Sequence, residues 1–441
     1  METLKKELTA RERFSNNFEH RYGVISGYID KDLSQIGKWL SDIVQLAKEN
    51  KVEEYEPSVR ALQVLLEKNQ ELRELVNKTI AEGLEVHKHF EPTAPYFIEN
   101  IEDLLNTLNY IITRAPEFLP NVSHSAFPMS GLFVYMMATP NGWLLFRNET
   151  FNQALSLILK EWCAYLDSSA SLNVVTTKSG GWLSPESVKK NNLDQFVTEE
   201  MKLEDPIHWT FKSFNDFFHR QIIPVCRPID GVGNDHVIVS ANDGTVYRIA
   251  ENVKREDDIY AKNQPYSLVH LLDNNFVDDF VGGTVFQSFL SGNDYHRWRA
   301  PISGRVIKAE VIPGYMFSEL LNQGDHGFDP TAGTYSQGYE ANVNTRGLVI
   351  IEHENPAIGK VAVIPIGITE ISSVEIQIKP GDYVKKGDEL GWFSYGGSSM
   401  CLVFQPKAIK QFTVVNPLPD NNSDNGPFIR VGAQVAIANI K

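Results

Sequence analysis

The spacing of apolar residues changes near residue 200 of this 441-residue chain. In the first part, apolar positions recur every three or four residues, which is the period of a helix with one buried face. Breaks rich in Ser, Pro and Gly at residues 115–130 and 168–185 separate the predicted helices. The apolar stripes are Leu62, Leu65, Leu66, Leu72, Leu75 and Val76; Ile101, Leu104, Leu105, Leu108, Ile111 and Ile112; and Phe151, Leu155, Ile158, Leu159, Trp162 and Leu166.

From about residue 204 the pattern changes to short runs rich in Val, Ile and Phe, each bounded by Gly, Pro, Asn or Asp. Several short strands with turn signals between them predict an antiparallel sheet or a small barrel. Three of the turns offer the residues with positive φ that tight hairpins need. They are Asn242-Asp243-Gly244, Pro380-Gly381-Asp382 and Lys386-Gly387-Asp388.

One run in this half, I-K-P-G-D-Y-V-K-K-G-D-E-L-G at residues 378–391, resembles the hairpins of barrel-sandwich domains, including lipoyl and biotin carriers. A carrier needs a lysine at the exposed tip of a turn, whereas Gly-Gly-Ser-Ser follows the second strand here, so a carrier function is not expected. We predict an α+β protein with two domains. A helical region occupies residues 1–200, and a β-rich, barrel-sandwich-like domain occupies residues 201–441.

The charge of the chain limits its partners. A net charge of -15 at pH 7 argues against nucleic acid, because phosphate binding needs basic stripes, and against an anionic membrane surface. No apolar run approaches the roughly 20 residues that span a bilayer. The amino-terminal METLKKELTARERF lacks the apolar core of a signal peptide. We therefore expect a cytoplasmic protein without stable membrane insertion.

The cysteines and histidines do not predict a metal site. Cys163, Cys226 and Cys401 are widely spaced and odd in number, which supports neither a disulfide framework nor a Cys-x-x-Cys zinc site. His87 and His89 are too few to hold a metal, and we expect them on a solvated helix end.

The segment Tyr395-Gly-Gly-Ser-Ser interrupts a run that otherwise has the composition of strands. The simplest interpretation is a bulge, a bend or a close backbone approach. A chemical interpretation also exists, because a serine hydroxyl can attack the carbonyl of the residue before it and form an ester. β-Elimination of that ester cuts the chain, and hydrolysis leaves a pyruvoyl group. The pyruvoyl ketone can form a Schiff base with an amine and accept the electrons that decarboxylation releases.

Together with other motifs, this segment resembles the processing site of the phosphatidylserine decarboxylase family, in which Gly-Ser is the cut bond. The matches follow the family's order over roughly residues 205–441. The helical front part, with G-W-L at residues 181–183, resembles the extra region of a soluble branch that includes fungal pyruvoyl-type tryptophan decarboxylases. The motifs are F-N-D-F-F-H-R (214–220), C-R-P-I (226–229), S-A-N-D-G (240–244), Y-S-L-x-H-L-L (266–272), Y-H-R-W-R-A-P (295–301), S-G-R-V (303–306), N-T-R (344–346), I-G-I-T-E-I-S-S (366–373) and F-x-Y-G-G-S-S (393–399).

The resemblance implies self-cleavage between Gly397 and Ser398. Residues 1–397 would form a β chain and residues 398–441 an α chain that remains its partner. Ser398 would become the pyruvoyl cofactor. The family also implies a homodimer.

The resemblance assigns further residues by position. Asp243 matches the aspartate that orients the family's processing histidine, and His296 matches the first histidine of its Tyr-His-x-x-His motif, which serves the substrate and the decarboxylation step. Ser399 and Gly396 are predicted to contact the substrate. Two interpretations of Arg299 stay open: its planar fork holds a substrate carboxylate or phosphate, or it forms a salt bridge with a neighbouring Asp or Glu.

Arg299 departs from the family pattern, because the second histidine of that motif is expected there. Arginine stays protonated and only donates hydrogen bonds, so it cannot be the base that activates the serine. Three accounts remain open. His296 serves as the base with Asp243 behind it; Asp243 acts directly, although a neighbouring cation would lower its pKa; or the chain does not mature.

The favoured function is pyruvoyl-dependent decarboxylation of a small L-amino acid, aromatic and tryptophan-like. The first alternative is a phosphatidylserine decarboxylase that makes phosphatidylethanolamine. The second is an unprocessed, non-catalytic relative that keeps the bond between Gly397 and Ser398 intact because Arg299 replaces the histidine.

Overall fold

The computed structural model describes residues 33–120, 127–137, 139–260, 266–290, 294–320, 333–370, 373–395, 397–416 and 427–440. Most helices within these ranges precede the strands along the chain. The α-helices are α1 (Leu33–Glu49), α2 (Pro57–Lys68), α3 (Gln70–Phe90), α4 (Ile101–Ile112), α5 (Pro128–Met137), α6 (Pro140–Leu145), α7 (Glu149–Asp167), α8 (Pro185–Lys190), α9 (Glu199–Glu204), α10 (Phe214–Phe218), α11 (Leu268–Leu271), α12 (Val277–Phe280) and α13 (Gly333–Val343), with 3-10 helices at Ser169–Val174, Leu193–Gln195 and Pro224–Cys226.

The strands form three antiparallel sheets. The strands are β1 (Val237–Val239), β2 (Gly244–Glu251), β3 (Thr284–Leu290), β4 (Arg297–Arg299), β5 (Gly304–Ile312), β6 (Arg346–Glu352), β7 (Lys360–Ile368), β8 (Val374–Ile376), β9 (Tyr383–Val384), β10 (Glu389–Phe393), β11 (Gly397–Phe404), β12 (Ile409–Phe412), β13 (Phe428–Ile429) and β14 (Gln434–Ala438). The largest sheet has eight strands in the order β13-β2-β3-β11-β7-β6-β5-β9, and the two small sheets have the orders β1-β14-β12 and β4-β10-β8.

The apolar stripes of the first half are buried faces of α2, α3, α4 and α7, as predicted. The first stripe covers two helices, because α2 ends before Asn69 and the side chain of Asn69 accepts a hydrogen bond from the Leu72 N–H at the start of α3. Asn100 and Asn148 cap α4 and α7 in the same way. Short polar side chains thus decide where these helices begin.

The α+β prediction is confirmed, and the large sheet is buried on both faces. Met400 and Leu402 of β11 belong to the core shared with the helical region. Cys401 and Val403 belong to a second core, which is completed by α11, α12 and α13. Because successive side chains of a strand point to opposite faces, β11 contributes to both cores. No helix within the described ranges has the length and apolarity to cross a bilayer.

Two of the three predicted turn glycines have the expected backbone. Gly381 and Gly387 have φ values of 100° and 90°, as a tight turn requires. The prediction of positive φ is wrong for Gly244, which begins β2. A Cβ at Gly244 would lie 2.5 Å from the Phe289 carbonyl oxygen, so close backbone packing explains this glycine instead.

The prediction of a solvated His87 is wrong. His87 is 3% exposed, and its Nε2 lies 2.9 Å from the Gly37 carbonyl oxygen. Its ring stacks on Tyr135 with centroids 4.7 Å apart, whereas His89 is exposed. Burial of the ring lowers the pKa of His87 to about 4, because an imidazolium would lose its hydration.

This burial predicts a pH-dependent stability. The folded pKa of His87 lies below the unfolded value of 6.5, so its contribution is fully present above pH 6.5 and is lost as the pH falls towards 4. At 1.36 kcal/mol per pKa unit, we expect the free energy of unfolding to fall by about 2–3 kcal/mol more in the wild type than in His87→Gln. Urea unfolding at pH 7 and pH 4.5 measures the difference. His89→Gln, the exposed control, should keep the wild-type profile; equal profiles for all three proteins would contradict the assignment.

Candidate active site

The predicted scission bond lies at the start of β11, in the centre of the large sheet. Gly397 pairs with Ile368 of β7, and Ser398 pairs with Gly367 of β7 and Leu290 of β3. The pairing continues to Phe404 without a shift in register, so β11 contains no bulge from Gly397 onwards. From Ser398 onwards, the backbone is therefore held by a neighbouring strand on each side.

The Ser398 side chain is fully buried, and its Oγ has no hydrogen-bond partner among the described residues. Leaving a buried hydroxyl unpaired costs about 1–3 kcal/mol. Such groups are rare in folded proteins, and each needs an explanation such as a catalytic role. The hydroxyl at the predicted scission bond is thus one of these unusual buried groups.

The neighbouring Ser399 has an ordinary structural environment. Its Oγ accepts a hydrogen bond from Gln287 Nε2 at 2.9 Å and donates one to the Ser288 carbonyl oxygen at 3.0 Å. The Ser288 hydroxyl in turn donates to Asn242 Oδ1 at 2.9 Å. This chain of hydrogen bonds connects β11 to the turn that carries Asp243.

Asp243 is buried and held by an arginine. Arg227 Nε donates to its two carboxylate oxygens at 2.8 and 3.1 Å, and Arg227 Nη2 also donates to Oδ2. The Val431 N–H donates to Oδ1 at 2.8 Å. Both oxygens therefore already accept hydrogen bonds, as a buried carboxylate requires.

His296 lies just before β4 in an aromatic environment. The residue is fully buried, and its ring centroid is 4.1 Å from that of Phe218 and 6.5 Å from that of Phe393. Its carbonyl oxygen accepts a hydrogen bond from the Phe393 N–H at 2.9 Å, which joins β10 to this segment. The surroundings therefore exclude bulk water from the imidazole.

Arg299 lies at the end of β4, close to the turn of Asp243. Its N–H donates to the Ala241 carbonyl oxygen at 2.8 Å, and its guanidinium carbon lies 5.9 Å from the ring centroid of Tyr295. Burial raises the pKa of Tyr295, and the nearby Arg299 charge opposes that shift. The two motifs that contain Asp243 and Arg299 are thus adjacent in the fold. The predicted site residue Gly396 lies outside the described residues.

Arg227 and Glu370 are buried, hydrogen-bonded residues that the motifs did not predict as functional. Arg227 belongs to C-R-P-I, and no local pattern in that motif indicates that its side chain binds Asp243. Glu370 belongs to I-G-I-T-E-I-S-S and is 4% exposed. Its carboxylate accepts hydrogen bonds from Ser130 and Thr369, so it also has a structural role.

A cavity of about 730 Å³ lies between α7 and the large sheet. Its walls include Thr345 and Arg346 of the N-T-R motif and none of the predicted site residues. The cavity is nevertheless close to the site, because Asn344 Nδ2 donates to the carbonyl oxygen of Gly367, the residue that pairs with Ser398. The cavity itself is separate from the predicted scission bond.

Comparisons with known proteins agree with the motifs. The phosphatidylserine decarboxylase family model matches residues 214–435, and a second phosphatidylserine decarboxylase model matches residues 56–191. The chain is 36% identical to the decarboxylase iboD of Amanita muscaria, over 65% of this chain and 85% of that protein. It is 30% identical to the L-tryptophan decarboxylase of Psilocybe cubensis, over 69% of this chain and 72% of that protein.

A plant relative extends the comparison to lipid enzymes. The chain is 33% identical to phosphatidylserine decarboxylase proenzyme 2 of Oryza sativa subsp. japonica, over 52% of this chain and 35% of that protein. The family predicted from the motifs is therefore confirmed. With one family model over half of its length and fungal relatives matched over most of theirs, the chain belongs to the phosphatidylserine decarboxylase family and is a carboxy-lyase.

Proposed function

We propose that this protein is a pyruvoyl-dependent decarboxylase of an aromatic, tryptophan-like L-amino acid, activated by self-cleavage between Gly397 and Ser398. The observation that carries the proposal is the buried Ser398 hydroxyl, which lacks a hydrogen-bond partner among the described residues and sits beside a backbone carbonyl held in the central strand. A nucleophile left unpaired in a dry site is suited to attack the neighbouring carbonyl.

The proposed maturation uses atoms of this chain and one water. Ser398 Oγ attacks the Gly397 carbonyl carbon, the C–N bond breaks, and the amine of residue 398 takes the proton. Removal of the Cα proton of residue 398 then expels the Gly397 carboxylate and leaves dehydroalanine. Its enamine tautomerises to an imine, and water converts the imine to a ketone and releases ammonia.

His296 is the proposed base for these steps. Arg299 is excluded because a guanidinium only donates hydrogen bonds. Asp243 is disfavoured because Arg227 and the Val431 N–H already occupy both of its oxygens. An imidazole can take and return a proton near neutral pH, and His296 lies in the buried aromatic environment that excludes competing water.

The substrate proposal rests on the relatives and on the aromatic surroundings. The pyruvoyl ketone supplies the electron sink for decarboxylation. Phe218 and Phe393 flank His296, which suits a flat, apolar substrate side chain. Arg299 offers a planar fork that matches a substrate carboxylate. Phosphatidylserine is the second candidate substrate, favoured by the relatives named for it.

Self-cleavage predicts two fragments. We expect the intact-mass spectrum of the purified wild type to show fragments 1–397 and 398–441, the smaller without a free amino group. Ser398→Ala should remain one chain because the attacking hydroxyl is gone. A single uncut mass for the wild type would instead identify an unprocessed relative.

The proposed base makes a second prediction. His296→Gln should slow scission by about 10²-fold or more, which is the usual contribution of a positioned base. Timed mass spectra after cell-free synthesis measure the rate. His353→Gln is the matched control, because His353 is also buried but follows β6 at the end of the sheet away from Gly397. Scission at the wild-type rate in His296→Gln would exclude His296 as the base.

The substrate class can be tested on the cleaved protein. We expect carbon dioxide release from L-tryptophan and none from the Ser398→Ala control, because that control lacks the ketone. Phosphatidylserine in vesicles is the competing substrate. Release from the vesicles alone would reassign the protein as a lipid decarboxylase.

A further inference from the structure

The helical region contacts two segments that lie next to the proposed scission bond in the fold. One segment follows β7 and contains Glu370; the other precedes β11 and contains Tyr395. Neither contact is used by the chemistry described above. The first segment meets α5 and the second meets α7, and both helices lie more than 200 residues earlier in the sequence.

Glu370 holds the first segment against the start of α5. The Ser130 N–H donates to Glu370 Oε1 at 2.6 Å, and the Ser130 hydroxyl donates to Oε2 at 2.5 Å. The Thr369 hydroxyl also donates to Oε2, at 2.8 Å. A carboxylate is favoured at this position because the first turn of a helix presents unpaired N–H groups.

This contact acts on the strand end that holds Gly397. Glu370 follows Ile368 by two residues, and Ile368 is the β7 partner of Gly397. Between them, Thr369 has a φ of 56°, an unusual conformation for a β-branched residue. Strained backbone of this kind persists only where surrounding contacts enforce it, and the hydrogen bonds of Glu370 supply that enforcement.

Tyr395 holds the second segment in an aromatic pocket. Its ring stacks on Phe127, with centroids 6.0 Å apart, and meets Trp162 of α7 edge-on at 5.1 Å. Phe214 and Phe218 of α10 complete the pocket, each at 5.3 Å. The pocket therefore combines residues of the helical region with Phe218, whose ring also lies against that of His296.

The backbone of Tyr395 is held as well. Its N–H donates to Asn215 Oδ1 at 3.2 Å, and Asn215 Nδ2 donates to Asp167 Oδ1 at the end of α7 at 2.8 Å. Tyr395, which directly precedes the Gly-Gly-Ser segment, is thus connected to the helical region by two hydrogen bonds through Asn215. Its position depends on where α7 lies.

We propose that the helical region is a positioning element of the maturation site, so that self-cleavage occurs only after this region has docked on the sheet. Glu370 holds the end of the strand that pairs with Gly397, and Tyr395 holds the segment that leads into Gly397. Intramolecular attack requires reacting atoms aligned at about 3 Å, and small displacements strongly slow such steps. Glu370 acts as a positioning residue. The inference rests on the proposed self-cleavage.

The test measures scission in the full chain with Glu370→Gln, which replaces one acceptor oxygen by a donor facing Ser130, and with Ser130→Ala. We expect each change to slow scission at least about tenfold in timed mass spectra after cell-free synthesis. The double variant should be no slower than the slower single variant, because both changes break the same contact. Thermal melting verifies that each protein is folded at the assay temperature.

Glu161→Gln is the matched control. Glu161 of α7 accepts a hydrogen bond at 2.8 Å from the N–H of Ser58 at the start of α2, so it makes the same kind of contact away from the sheet. It should cleave at the wild-type rate even if it melts earlier. Phe127→Leu provides a second probe if Glu370→Gln does not fold, because it removes the aromatic stack on Tyr395, keeps an apolar side chain and should also slow scission.

The outcomes separate the two proposals. Wild-type scission with unaltered rates in Glu370→Gln, Ser130→Ala and Phe127→Leu overturns the positioning role and leaves self-cleavage standing. Slowing that merely matches the Glu161→Gln control reduces Glu370 to a stability contact and also overturns the role. An uncut wild type defeats the proposed function itself, and the inference with it.

Discussion

The site depends on a single constraint: β11 is hydrogen-bonded along both edges. Its pairing with β3 and β7 fixes the backbone at Gly397 and sends neighbouring side chains to opposite faces. Ser399 therefore meets polar partners from β3, whereas the Ser398 hydroxyl enters the apolar core without a partner among the described residues. Two adjacent serines thus have opposite environments, because the strand directs their side chains to opposite faces of the sheet.

Around this strand, buried charges join different structural elements. Arg227 binds Asp243, and Glu370 binds Ser130, and none of these four residues is more than 6% exposed. A buried charge is costly until its partner arrives, so such contacts favour the one arrangement in which all partners are present. Aromatic packing has the same effect around Tyr395. The helical region is thus part of the environment of β11.

The sequence predicted the α+β class because helix and strand periods differ sharply on either side of residue 200. It did not predict α5, because all ten residues of that helix are buried and no polar face marks its period. The motifs identified Ser398, His296 and Asp243 as candidates. Their supporting partners were not predictable, since no local pattern encodes that Glu370 will meet Ser130, a residue 240 positions earlier.

The burial of Ser398 has a consequence for the kind of chain end that scission can create. A newly cut protein ordinarily gains an ammonium group, and chain ends are normally exposed to water. The proposed cut would form its new amino-terminal end, at residue 398, inside a core where the Ser398 side chain is fully buried. An isolated ammonium there would be strongly disfavoured, whereas an uncharged ketone carries no such desolvation penalty. Burial thus favours an uncharged ketone at the new chain end, and this ketone is the group that the proposed decarboxylation needs.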